Sequence, residues 1–145
     1  MMPFKWRILA LFGLCVMVLA GCGGTDTQSE TNLPTRRAKM RDMKINTDMI
    51  MAALKNESLE GVEANAKRIQ ENLNAVRDLY PGEHKEKFIT YNNESQRLAL
   101  AISTSASEGN VKEANKNFRA LVPFCTKCHE DCAYMLAPAF PEYEQ

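Results

Sequence analysis

The sequence lacks an excess of either charge, since 18 lysines and arginines balance 18 aspartates and glutamates. A nucleic-acid partner is therefore not expected, because phosphate binding requires a basic surface. The 45% of apolar and 25% of charged residues are typical of a globular protein, and they exclude a collagen-like or wholly disordered chain. At 145 residues, the length fits one domain.

No apolar run reaches the roughly 20 residues of a membrane-spanning helix. The longest run, residues 8–20, follows Lys5 and Arg7. The stretch Leu19-Ala20-Gly21-Cys22 closes it with small residues. A basic start, a short apolar run and small closing residues predict a signal peptide over residues 1–21. Leu19-Ala20-Gly21-Cys22 also resembles the lipobox of bacterial lipoproteins, which implies that Cys22 is lipidated and anchors the chain in the cell envelope, facing the periplasm. A plain signal peptide and a retained N-terminal anchor are the alternatives.

Beyond the signal peptide, residues 22–33 are small and polar without periodicity, which predicts a flexible tether. In the domain predicted over residues 34–145, apolar residues recur at steps of three and four, as in helices that each bury one stripe. The predicted helices cover about 35–56, 58–80, 84–107 and 110–132. Because short connections force sequence neighbours to lie antiparallel, the predicted fold is all-α, an up-down-up-down four-helix bundle.

Local signals mark the ends of these helices. Ser58 is a candidate N-cap of the second helix, and Asn110 with Glu113 has the spacing of a capping box at the fourth. Pro123 is expected to kink the fourth helix or remove a hydrogen bond from it. The expected core stripes are Met40, Met43, Thr47, Ile50 and Leu54; Val62, Ala66, Ile69, Leu73, Val76 and Tyr80; Phe88, Tyr91, Ser95, Leu98, Ile102 and Ala106; and Val111, Ala114, Phe118, Leu121, Cys125, Cys128 and Cys132.

The most informative motif is Cys125-Thr126-Lys127-Cys128-His129, the C-x-x-C-H pattern of covalent c-type haem attachment. On a helix, the two thiols share a face and can form thioether bonds with two haem vinyl groups. The histidine that follows presents its imidazole to the iron. We therefore expect Cys125 and Cys128 to bind haem c and His129 to be the proximal ligand. Export supports this expectation, because c-type cytochromes mature outside the bacterial cytoplasm.

Three other kinds of site could use the same residues. A thioredoxin-like redox pair requires a preceding strand, and the sequence predicts none. A zinc site could recruit Cys132, but four ligands on one helical face do not easily close a tetrahedron. A Cys125–Cys128 disulfide would make the chain a cofactor-free helical lipoprotein.

A C-x-x-C-H motif in the last of four helices resembles the cytochrome c′ family, the class II c-type cytochromes. The stretch from Arg36 to Met43 resembles the family's first helix, where an arginine is followed four residues later by the side chain on the distal side of the iron. Leu79-Tyr80-Pro81 resembles the turn that ends the family's second helix. The resemblance covers about residues 34–134 and implies that the bundle is a haem domain.

By this resemblance, the residue at position 40 decides whether the iron has a sixth ligand. Family members with methionine there resemble low-spin, six-coordinate electron carriers, whereas members with an aliphatic residue keep a five-coordinate iron that binds gases. Met43 is the alternative ligand, and both methionines could instead be core fillers. Arg36 is expected to pair with a haem propionate or to lie on the surface. His84, in a polar turn, is expected to be exposed.

After the motif the sequence departs from the family. Cys132 and Ala133 occupy positions where an aromatic and a basic residue commonly follow, although Tyr134 offers a ring nearby. The sequence thus predicts a lipid-anchored haem protein, not an enzyme, that carries electrons between unidentified redox partner proteins, with a homodimer as a possible assembly. A five-coordinate protein that binds nitric oxide and a cofactor-free lipoprotein are the alternatives.

Overall fold

The computed structural model describes residues 32–80 and 84–132. They form four helices: α1 (Leu33–Lys55), α2 (Val62–Arg77), α3 (Lys85–Ser107) and α4 (Val111–Cys132). These residues contain no strand, and the predicted all-α four-helix bundle is confirmed. None of the four helices is long and apolar enough to cross a membrane. The predicted signal peptide, Cys22 and most of the tether lie outside the described residues.

Hydrogen bonds between helices show that sequence neighbours run antiparallel. Asn72 of α2 donates to Asp42 of α1 at 2.6 Å, and Asn92 of α3 donates to the Leu73 carbonyl at 2.8 Å. Between α3 and α4, the Tyr91 hydroxyl reaches Asp131 near one end of the bundle. The amide of Asn117 contacts the Ser105 hydroxyl near the other end. The starts of α1 and α3 and the ends of α2 and α4 therefore share one end of the bundle.

The four sides of the bundle are not equally closed. Helices that follow one another in the chain pack closely, whereas α1 and α4 touch each other at few points. An antiparallel four-helix bundle brings its first and last helices side by side, and α1 and α4 are neighbours, but their interface is the smallest of the four. We call this side, where the first half of α1 faces the second half of α4, the α1/α4 edge.

The core follows the predicted stripes. Sixteen apolar residues are buried, and Ile50, Val62, Val76 and Ile102 are fully enclosed. Met40, Tyr80, Tyr91, Ala106, Val111, Cys125 and Cys128 are partly buried and pack against this core. Several buried polar residues were not predicted, among them Asn46, Asn72 and Asn92. They are tolerated because their side chains form hydrogen bonds to Asp42 and to helix carbonyls.

Turn chemistry corrects one predicted boundary. Ser58 does not cap α2: its hydroxyl accepts a hydrogen bond from the Glu60 N–H, and the helix starts at Val62 after Gly61, whose φ is +73°. The Asn110 cap is confirmed, since its side-chain oxygen accepts the Glu113 N–H at 3.0 Å. α4 continues through Pro123, whose exposed position lets water solvate the carbonyl one turn earlier.

Candidate haem-attachment site

The second half of α4 presents three free thiols along one stripe. Cys125 and Cys128 are partly buried, and Cys132 is buried. The Cys125 thiol lies close to Ser95 on α3, and the Cys128 thiol lies close to Cys132. The two predicted haem cysteines therefore occupy the arrangement expected of them, and neither is engaged in a disulfide.

The surroundings of these thiols keep them protonated. Burial raises the pKa of Cys125 to about 11, against a smaller opposing effect of the hydrogen bond with Ser95. Burial also raises the pKa of Cys128 to about 12, and the neighbouring Cys132 and Cys125 raise it further. Thiolates, which bind zinc and exchange disulfides, are thus disfavoured at neutral pH.

His129 follows Cys125 by one helical turn of α4, and its side chain is partly buried. One of its ring nitrogens, Nδ1, is buried and has no hydrogen-bond partner among the described residues. An unsatisfied buried nitrogen costs about 1–3 kcal/mol, so this imidazole is suited to a ligand that the protein itself does not supply. Burial lowers the pKa of His129, which favours the neutral imidazole, and the neutral form is the one that binds metals.

The predicted distal residues lie near the start of α1, which is at the same end of the bundle as His129. Arg36, Met40 and Met43 follow one another at steps of four and three, so they lie along the inner side of α1. Met43 is buried at 8% exposure, while Met40 and Arg36 are partly buried. Arg36 therefore does not lie freely on the surface.

The cross-helix contacts fix the height of these residues along the bundle. Hydrogen bonds link Asp42 to Asn72, Leu73 to Asn92 and Tyr91 to Asp131, which places Asp42 near the height of His129. At about 1.5 Å per residue, Met40 and Met43 both lie within one helical turn of that height. The structure therefore brings both candidate ligands to the level of His129, on the helix opposite it across the α1/α4 edge.

Two tyrosines hold the last turn of α4 on the side away from α1. The Tyr80 hydroxyl donates to the Cys132 carbonyl at 2.5 Å, and its ring stacks on Phe88 at 4.5 Å. The Tyr91 hydroxyl donates to Asp131 at 2.6 Å, and this bond raises the pKa of Tyr91 to about 12. The sequence did not predict these contacts. The two tyrosines supply aromatic rings next to the motif, at the point where the sequence departs from the cytochromes c′. Tyr134 lies outside the described residues.

The structure weakens the competing interpretations. No three histidine, cysteine, aspartate or glutamate side chains within residues 32–80 and 84–132 converge to hold a metal ion. The absence of a strand before the motif, across the same residues, argues against a thioredoxin-like pair. His84 precedes α3 and is partly buried, so the expectation that it is exposed was wrong.

No family model, curated protein or solved structure matches the chain. The likeness to the cytochromes c′ therefore rests on the C-x-x-C-H motif, on the Arg36–Met40 spacing and on the fold class.

Proposed function

We propose that the chain is a lipid-anchored c-type haem protein that carries electrons in the bacterial cell envelope. One observation carries this proposal: the C-x-x-C-H motif lies in the second half of α4, with two free thiols and a histidine whose buried ring nitrogen has no partner among the described residues. These features fit a covalently bound group that enters from the α1/α4 edge.

The residues have separate roles in this proposal. Cys125 and Cys128 would hold haem c through thioether bonds, and His129 would be the proximal ligand. When bound, the haem supplies one-electron transfer between ferrous and ferric iron. The hydrogen bonds from Tyr80 to the Cys132 carbonyl and from Tyr91 to Asp131 hold the last turn of α4, which also carries His129. The buried Phe118 and Leu121, which precede the motif on α4, would exclude water from the haem.

Met40 is the proposed distal ligand, with Met43 as the alternative. A neutral thioether favours ferrous iron and raises the reduction potential, which suits an electron carrier. Met43 contributes to the buried core, whereas Met40 lies at its margin and can turn towards a ligand without leaving a cavity in the core. Arg36, one turn before Met40 on α1, would pair with a haem propionate.

Covalent attachment is tested by intact-mass analysis of the chain produced in a host that matures c-type cytochromes. The wild type should carry one haem, and the Cys125→Ser/Cys128→Ser variant should carry none. Cys132→Ser is the matched control and should retain the haem. A wild type without the haem adduct would overturn the proposal, and a mass lower by two hydrogens would favour the disulfide lipoprotein.

Anchoring is tested separately through Cys22. Cys22→Ser should release the protein from salt-washed membranes or leave the precursor uncleaved. If the variant is cleaved correctly and still fractionates with salt-washed membranes as the wild type does, lipidation is wrong. This result would leave the haem proposal intact.

A further inference from the structure

Basic residues are unevenly distributed over the bundle. α1 and α4 together contain ten basic and five acidic residues, whereas the other described residues contain six basic and eight acidic ones. The chain as a whole is neutral. The positive charge is therefore concentrated on the two helices that form the α1/α4 edge.

Most of this charge is not neutralised within the protein. Six exposed basic residues on these helices form no ion pair with any described residue. On α2 and α3, by contrast, most basic residues are paired, as Lys67 is with Glu63 and Arg97 with Glu94. The six are Arg37, Arg41 and Lys55 on α1, and Lys112, Arg119 and Lys127 on α4. Lys127 lies one turn before Asp131, on the side of α4 that contacts α3. We call the other five the basic edge residues.

Helix geometry places these residues on one side of the bundle. Asp42 marks the side of α1 that faces α2, and Arg37 and Arg41 lie roughly 140° and 100° around the helix from it, on its other flank. Asn117 marks the side of α4 that faces α3, and Arg119 lies away from it. The basic edge residues therefore flank the α1/α4 edge and extend along both helices, each about 30 Å long.

Helix stability does not account for the basic start of α1. Its first turn contains no acidic residue, while Arg36 and Arg37 stand close to the positive end of the helix dipole. The exposed Arg37 forms no ion pair with a described residue, so an anionic partner would complement the basic start of α1. Leu33, the first residue of α1, is also only 11 positions after Cys22.

We propose that the side of the bundle marked by the basic edge residues lies against an anionic phospholipid surface. The inference rests on the lipid anchor of the proposed function, which keeps a membrane within reach of α1 and raises its effective concentration. Each lysine or arginine near an anionic membrane strengthens binding by roughly fivefold. In this orientation the α1/α4 edge, and with it the candidate haem site, faces redox partners held in the membrane.

The test uses residues 23–145 exported behind a cleavable signal peptide, so that no lipid contributes and the whole described bundle is retained. Binding is measured by co-sedimentation with phosphatidylcholine vesicles that contain either no phosphatidylglycerol or roughly 30% of it. The wild type should bind only the anionic vesicles, and high salt should abolish binding. Arg41→Gln/Arg119→Gln should weaken binding by roughly 25-fold, because it removes two charges. Arg77→Gln/Lys85→Gln, which removes two exposed charges from α2 and α3, should weaken it by less than about threefold.

Two results would overturn the proposal. The first is a wild type that does not bind anionic vesicles at low salt, which would point to an acidic protein surface as the partner. The second is an equal loss of binding in both double variants, which would indicate unspecific attraction. The Soret band of the same samples reports haem attachment independently, so failure of the membrane inference and failure of the haem proposal are distinguishable.

Discussion

The three sides of the bundle where sequence neighbours meet differ from the fourth in packing and in chemistry. Along α2 and α3, fully enclosed apolar residues and internally bonded asparagines fill the interface. At the α1/α4 edge the contacts are few, the methionines are divided between core and margin, and His129 carries a buried nitrogen without a described partner. Stability is thus concentrated on the closed sides, whereas the chemically unsatisfied groups lie at the edge.

The first prediction concerns a substitution in the closely packed part of the bundle, on α3. Ile102 on α3 is fully buried, so Ile102→Ala should lower the free energy of unfolding by about 2–5 kcal/mol through lost burial and the cavity that remains. The absorption spectrum of the folded protein should not change, because Ile102 lies towards the end of the bundle away from His129. Urea unfolding measures the first effect. A cost below about 1 kcal/mol would contradict the description of this interface as the stable part.

The second prediction removes one buried polar link between α1 and α2. Asn72 is 1% exposed and donates to Asp42, so Asn72→Ala should cost about 1–3 kcal/mol in urea unfolding. Asn74→Ala, at an exposed position of the same helix, is the matched control and should cost little. Equal effects of the two substitutions would show that the Asn72 hydrogen bond does not stabilise the bundle.

The third prediction concerns pH and the same link. Hydrogen bonding from Asn72, supported by Arg68 and Asn46, lowers the pKa of Asp42 below its ordinary 3.8. A carboxyl group with a lowered pKa in the folded state stabilises the protein above its unfolded pKa, and this contribution is lost as the pH falls through the folded value. Asp42→Asn should therefore lose less stability than the wild type between pH about 6 and about 3. An identical loss in both proteins would contradict this role.

The sequence predicted the parts of the molecule that follow from periodicity and from a strict motif. Four amphipathic stripes and the Asn110 cap were sufficient for the fold, and the C-x-x-C-H spacing identified the side of α4 that carries the free thiols. The start of α2 was predicted too early, because the left-handed backbone at Gly61 competes with the capping tendency of Ser58. The position at which α2 starts is therefore set by the tertiary structure and not by the local capping signal.

The buried asparagines and the two tyrosines were beyond prediction for another reason. Asn72 is buried only because Asp42 lies opposite it, 30 residues away in the chain. Tyr80 and Tyr91 contact the last turn of α4 across 52 and 40 residues. Such pairings depend on how the helices are aligned along the bundle, which periodicity alone does not specify.

The last prediction concerns a substitution at the α1/α4 edge, which has the smallest expected effect on stability. Met40 is partly buried, and leucine has a similar volume, so Met40→Leu should change the free energy of unfolding by less than about 1.5 kcal/mol. Its expected effect lies in the ligation of the iron. Met43→Leu is the matched control, since Met43 is buried one turn away on the same side of α1.

The ferric absorption spectrum of the wild type, compared with Met40→Leu and Met43→Leu, tests the central claim most directly. We expect a low-spin spectrum for the wild type and for Met43→Leu. Met40→Leu should give a high-spin spectrum, a lower reduction potential and an iron open to carbon monoxide. A change caused by Met43→Leu instead would keep the electron carrier and move the ligand by one turn. A wild type that is already high-spin, binds carbon monoxide rapidly and keeps its spectrum in both variants would contradict methionine ligation and favour the gas-binding alternative.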